Sequence, residues 1–104
     1  MSLISKLEYE RNQYYKLQEK IDVLIEYLNK SIEHIDETSI VLDKSFLIDN
    51  SNIDNFFFKE KITNIKDIIK VINETIIPNI TQKINSLSEE IKNLENNNMV
   101  ISEK

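Results

Sequence analysis

The chain has 104 residues, among them no glycine, no cysteine, no tryptophan and one proline. It also lacks alanine. Each absence excludes something. Tight hairpins and phosphate-cradling loops need glycine where φ is positive, so a sheet with short turns or a nucleotide-binding fold is not expected. Without cysteine there are no disulfides and no thiolate metal sites. No run approaches the roughly 20 apolar residues that cross a bilayer, and Met1 to Glu10 carries charge where a cleavable signal would carry an apolar core. No Lys/Arg cluster stands out; Lys59 and Lys61 are separated by Glu60. With a net charge of −5, neither nucleic acid nor anionic membrane is an expected partner.

What remains is a chain that is 40% hydrophobic and 30% charged. It is too apolar for a disordered polymer and is ordered by helical spacing. Leu7, Tyr14, Ile21, Leu28, Ile35 and Leu42 recur every seventh residue and read as a positions of a heptad. The d positions are then Leu3, Glu10, Leu17, Leu24, Ser31 and Thr38. Ile4, Ile25, Ile32 and Phe46 lie one place further and broaden the stripe, with Ile40 beside the seam. Ser2 or Ser5 can cap the start, and Ser5 with Glu8 has capping-box spacing. Glu26 and Lys30 form an i,i+4 pair. A first helix is expected over about 5–44.

The segment FLIDNSNIDN, about 46–55, breaks the pattern. Its Asp, Asn and Ser side chains bond local backbone groups and favour turns; Asn52 or Asp54 can cap the next helix. Ile48, Ile53 and Phe56-Phe57-Phe58 flank this polar centre and suit a small apolar plug. Three successive aromatics cannot share one face, since helical neighbours are about 100° apart. One therefore points outward and can anchor a partner, although simple packing at the hairpin end also accounts for the triplet.

A second helix is expected over about 56–95, with a loose tail over 96–104. Its ladder is Ile62, Ile65, Ile69, Ile72, Ile76, Ile80, Ile84, Leu87, Ile91 and Leu94, with Ile68, Val71 and Ile77 as additional apolar positions. Ile72, Ile76, Ile80 and Ile84 step by four throughout, a stutter, and Pro78 lies inside it. A proline there loses one backbone bond and clashes with the carbonyl of Glu74. A kink at Pro78 is expected, with a break near Thr75 to Pro78 as the alternative.

The expected fold is all-α: one domain, an antiparallel two-helix hairpin resembling a coiled coil. Its stripes are wider than one companion helix covers, so the hairpin is expected to complete a four-helix bundle. Ile25, Ile32, Phe56, Phe57, Phe58, Ile68 and Ile77 are the candidate partner contacts. A monomer whose extra isoleucines stay partly exposed is the alternative.

No catalytic constellation emerges, so the chain is not read as an enzyme and needs no cofactor. His34 near Glu33 and Glu37 is the sole histidine, whereas a carboxylate-bridged di-metal bundle needs a Glu-x-x-His motif from each of two helices. No metal is expected. Asp36, Glu37, Glu89 and Glu90 read as a solvated face. Asn73-Glu74-Thr75 and Asn79-Ile80-Thr81 match glycosylation sequons, an expected coincidence in an Asn- and Ile-rich chain.

The layout of Tyr14 to Glu95, including YYKLQEKIDVLIEYL and NITQKINSLSEEIKNLE, resembles the WXG/ESX-like helical hairpins of Gram-positive type VII secretion. It is most similar to those that accompany LXG toxins. Phe56-Phe57-Phe58 stands where that family has Trp-x-Gly, and no tyrosine follows Tyr27 to make its C-terminal Tyr-x-x-x-Asp/Glu export signal. The resemblance implies a targeting factor or chaperone. It would stack on the helical domain of a larger secreted effector, with or without a related small hairpin. It would reside in the cytoplasm or leave the cell with that partner, independently of a signal peptide. A self-associating structural coiled coil, such as a phage or cytoskeletal spacer working as a homodimer, is the alternative. Ser31 and Thr38 in the seam favour the first reading, because a homomeric coil usually keeps its seam apolar.

Overall fold

In the computed structural model the described backbone covers residues 2–44 and 55–103, with side chains described over 2–44 and 56–97. Helix α1 spans Leu3–Asp43, α2 Asn55–Val71 and α3 Ile77–Glu103. Between the last two lies a single π turn, Ile72–Ile76. Every described element is helical, and the topology is a helical hairpin. The expected turn, with Phe46, Ile48, Asn52, Ile53 and Asp54, lies outside the described residues. The second helical segment continues to Glu103, past the point where the sequence suggested a loose tail.

Capping falls on Ser2. Its Oγ accepts the backbone N–H of Ser5 at 3.1 Å, and its carbonyl accepts the N–H of Lys6, also at 3.1 Å. Ser5 is therefore the third helical residue, and its hydroxyl accepts a bond from Ser2 Oγ at 3.0 Å. Of the two serines able to cap α1, the earlier one does so.

The chain divides into two compact units. One comprises Met1–Ile21 with Glu74–Lys104, the other Asp22–Asn73. In the first unit α1 and α3 run antiparallel: Leu7 packs with Leu87 and Ile91, with Ile4, Tyr14 and Leu94 around them. Arg11 Nη1 donates to Ser88 Oγ at 3.2 Å. Arg11 is the only arginine in the chain, and its Nε is enclosed with no acceptor in reach among the described residues. A polar group half-buried in an apolar seam costs stability and penalises other registers, in which it would lose Ser88 as well.

Two rows of α1 face inward. One is the Leu7, Tyr14, Ile21, Leu28, Ile35, Leu42 ladder, whose members are all buried or half-buried. The other is Ile4, Arg11, Gln18, Ile25, Ile32, Ser39, also buried or half-buried throughout. The row Leu3, Glu10, Leu17, Leu24, Ser31, Thr38 is exposed. The inner seam thus lies on the opposite side of the Leu7 ladder from the side the sequence suggested. Ile25 and Ile32 belong to its interior, not to its margin.

On the second helical segment the inward residues are Phe58, Ile62, Ile65, Ile69 and Ile72, then Ile77, Ile80, Ile84, Leu87, Ile91 and Leu94. Steps of three and four alternate except between Ile72 and Ile77, where the step is five. The π turn occupies that interval. A π turn adds one residue to a helical turn, and here the addition rescues the core. A continuous α-helix from Ile72 would turn Ile76, Asn79, Lys83, Ser86, Glu90 and Asn93 inward. With the extra residue, Ile77, Ile80, Ile84, Leu87, Ile91 and Leu94 face in and Ile76 is left 39% exposed. The π turn also ends directly before Ile77 and Pro78. A widened turn there relieves the contact between the proline ring and the carbonyl of Glu74.

Removing the surplus residue therefore leaves the seam in phase. Deletion of Thr75 combined with Pro78→Ala is expected to keep the helical content and the melting temperature of the parent chain. Deletion of Asn85, which turns Ser88, Lys92 and Glu95 inward, is expected to lower the melting temperature sharply. Circular dichroism melts of the two variants check this; equal losses in both would refute the phase argument.

Candidate helix-packing interface

The unit Asp22–Asn73 is less well closed than its neighbour. Among its described residues only Ser39 and Ile72 are buried, while Ile25, Leu28, Ile32, Ile35 and Leu42 of α1 and Phe58, Ile62, Ile65 and Ile69 of α2 remain half-buried. Two helices leave an open side along their seam, and large side chains flank it. Leu24, Tyr27 and Val41 of α1 are exposed, Tyr27 to 65%; Phe57, Ile68 and Val71 of α2 are exposed as well, Val71 to 55%.

These six residues lie on one side of the unit. Leu24 heads the row that borders the Leu7 ladder, and Tyr27 and Val41 lie one row further round in the same sense. On α2 the equivalent bordering row is Lys61 and Ile68, and the next is Phe57, Asn64 and Val71. In an antiparallel pair, reversing one helix also reverses the sense in which its rows follow around the axis. Equivalent rows then fall on the same side. The opposite side carries Asp22, Glu26, Glu33, Asp36 and Asp43 from α1 and Lys59, Lys66 and Lys70 from α2. The first side carries six large exposed apolar side chains; the second pairs an acidic edge of α1 with a basic edge of α2 and carries two, Ile40 and Phe56.

Along the apolar face the composition is layered. Leu24, Tyr27, Ile68 and Val71 form one apolar end, and Val41 and Phe57 form the other. Ser31, His34, Thr38, Lys61 and Asn64 lie between them. The hydroxyl of Ser31 donates to the carbonyl of Tyr27 at 2.9 Å, and that of Thr38 to the carbonyl of His34 at 2.8 Å. Both hydroxyls are satisfied within their own helix, so covering them leaves no new unpaired donor. The middle layer is thus less polar towards a partner than its composition suggests.

The residues expected to meet a partner separate into two groups. Ile25, Ile32, Phe58 and Ile77 stand half-buried on inward rows, whereas Phe56, Phe57 and Ile68 are exposed. The rings of Phe57 and Phe58 meet edge to face, with centroids 5.5 Å apart and an interplanar angle of 81°. Lys61 Nζ lies 5.1 Å from the Phe57 centroid, a cation–π contact. Leu24, Tyr27, Val41 and Val71 complete the face. The heptad spacing places Leu24 in the seam and Val71 among the additional apolar positions, and gives Tyr27 and Val41 no role. The periodicity of α2 alone puts Phe57 and Val71 in one row, a signal available without coordinates.

The remaining charged groups are those of a solvated surface. Glu26 and Lys30 approach to 3.8 Å with both side chains largely exposed, an arrangement that contributes at most about 0.5 kcal/mol. His34 Nδ1 lies 3.9 Å from Glu37 Oε2, and its side chain is 77% exposed. No group of three His, Cys, Asp or Glu able to hold a metal ion occurs among the described residues. No described helix is long and apolar enough to cross a membrane. No protein-family model, curated protein sequence or solved structure matches the chain.

If this face is surface in the free chain, its apolar residues add little to the chain's own stability. Ile68→Ser with Val71→Ser is expected to change unfolding free energy by no more than about 1 kcal/mol. Ile91→Ala, at a position 4% exposed, is expected to cost about 2–5 kcal/mol. Chemical denaturation of both variants measures the contrast.

Proposed function

We propose that this chain is a helix-packing interaction protein, not an enzyme, and that it completes a four-helix bundle with a helix pair from a partner. The observation that carries the reading is the more apolar of the two faces of the Asp22–Asn73 unit. Six large side chains there sit beside a seam that stays half-buried. Covering each such side chain gains on the order of 1 kcal/mol, given about 1.5–3 kcal/mol for burial from full exposure. Covering the half-buried isoleucines behind them adds to that. A monomer has no need to keep such a face in water, and a polar surface on the same rows would serve solubility better.

The chain's helical-hairpin layout supports a finer reading drawn from its resemblance to the small type VII secretion proteins. In that reading the partner is the helical domain of a larger secreted effector, and this chain is its accessory, a targeting factor or chaperone. The apolar face is then the surface that the effector's helices cover. The protein is held in the cytoplasm until partnered and exported only as part of the complex.

Light scattering on the purified chain, alone and co-expressed with each protein encoded beside it, tests this reading. A defined complex with one helical neighbour is expected, lost on Ile68→Asp with Val71→Asp while circular dichroism of the variant is unchanged. A chain that stays monodisperse and monomeric beside every neighbour would remove the basis for the proposal.

A further inference from the structure

The apolar face is also selective in charge. The chain carries 18 acidic residues, yet among the described residues the rows that form this face of the Asp22–Asn73 unit contain none. Leu24, Ser31 and Thr38 with Tyr27, His34 and Val41 come from α1. Lys61 and Ile68 with Phe57, Asn64 and Val71 come from α2. The described carboxylates of the unit stand on the opposite face or at the outer edges, where Glu37, Glu60 and Asp67 lie. His34 leans towards one of them, Glu37. Lys61 has no carboxylate three or four residues away on its own helix, where Phe57, Phe58, Asn64 and Ile65 stand. Its ammonium rests over the Phe57 ring.

Resting on the helix-packing reading above, we infer that the occupant of this face is a helix pair from a different protein. Its apolar stripe carries an aspartate or glutamate opposite Lys61. Charge complementarity argues against a second copy. A symmetric pairing of apolar ends on apolar ends sets the two middle layers against each other. Two Lys61 ammoniums then enter one partly desolvated layer with no carboxylate from these rows to meet them. Like charges so placed oppose association. A partner carboxylate forms a charge-assisted bond with Lys61 and keeps the apolar ends in register.

The test uses the full chain and three synthetic two-helix peptides. Each has a leucine stripe interrupted at its middle by one residue: glutamate, glutamine or lysine. Titration calorimetry is expected to show the glutamate peptide binding at least about tenfold tighter than the lysine peptide, a difference of about 1.4 kcal/mol. Lys61→Glu is expected to reverse that order, with circular dichroism confirming an unchanged fold. Equal binding of all three peptides overturns the charge inference and leaves the helix-packing reading standing. Binding of none overturns both. Self-association at low micromolar concentration that Val71→Asp abolishes assigns the face to a second copy and overturns the inference. So does binding to phosphatidylglycerol vesicles that the same substitution removes.

Discussion

The phase of the inward-facing apolar residues is the constraint on which this structure depends. A helix repeats every 3.6 residues, and a seam between two helices survives only where steps of three and four alternate. The second helical segment carries one residue more than that rule allows. It places the surplus in the π turn Ile72–Ile76, so that Ile72 ends one inward run and Ile77 begins the next. Had the helix stayed regular, Lys83 and Glu90 would occupy the interior that Ile84 and Ile91 hold. Pro78 follows immediately, where a widened turn already tolerates a residue without an N–H.

That phase fixes what is left outside. The Leu7, Ile4 and Leu3 rows of α1 are the richest in aliphatic residues, and a single companion helix covers two. The row beginning at Leu3 is the one excluded, and with it Leu17 and Leu24. The two units then diverge. Beside the first, α3 keeps its apolar residues on the inward rows and fills the flanks with Lys83, Ser86, Glu90 and Asn93, so the seam closes to give Ile80, Ile84, Leu87 and Ile91 as buried residues. In the second, α2 adds Ile68, Val71 and Phe57 on the side where α1 already exposes Leu24, Tyr27 and Val41. One unit supplies stability and the other supplies surface.

Polar residues sharpen the division. Arg11 sits within the first seam and bonds Ser88, a contact available in one register. Lys61 stands at the middle of the exposed face, and among the described residues no carboxylate lies on the rows around it. The first of these selects how the chain pairs with itself; the second is the feature on which the proposed partner's charge rests. On the other face of the unit, acidic residues of α1 stand opposite lysines of α2, with Ile40 and Phe56 exposed among them.

The all-helical class, the hairpin topology, the Leu7 ladder and the apolar ladder from Ile80 to Leu94 were legible in the sequence, because periodicity and the absence of glycine leave few alternatives. The side of the Leu7 ladder that faces the partner helix was not. The Leu3 row offers Leu3, Leu17 and Leu24, the Ile4 row offers Ile4, Ile25 and Ile32, and each also holds three polar residues. One strand of sequence cannot break that tie. It is broken by packing against the second helical segment, which seats Arg11 beside Ser88 and turns Leu24 out. The π turn was equally hidden, since Ile76 and Ile77 are adjacent and chemically alike. Only the need to bring Ile80, Ile84 and Leu87 onto the face already set by Ile65, Ile69 and Ile72 selects Ile77.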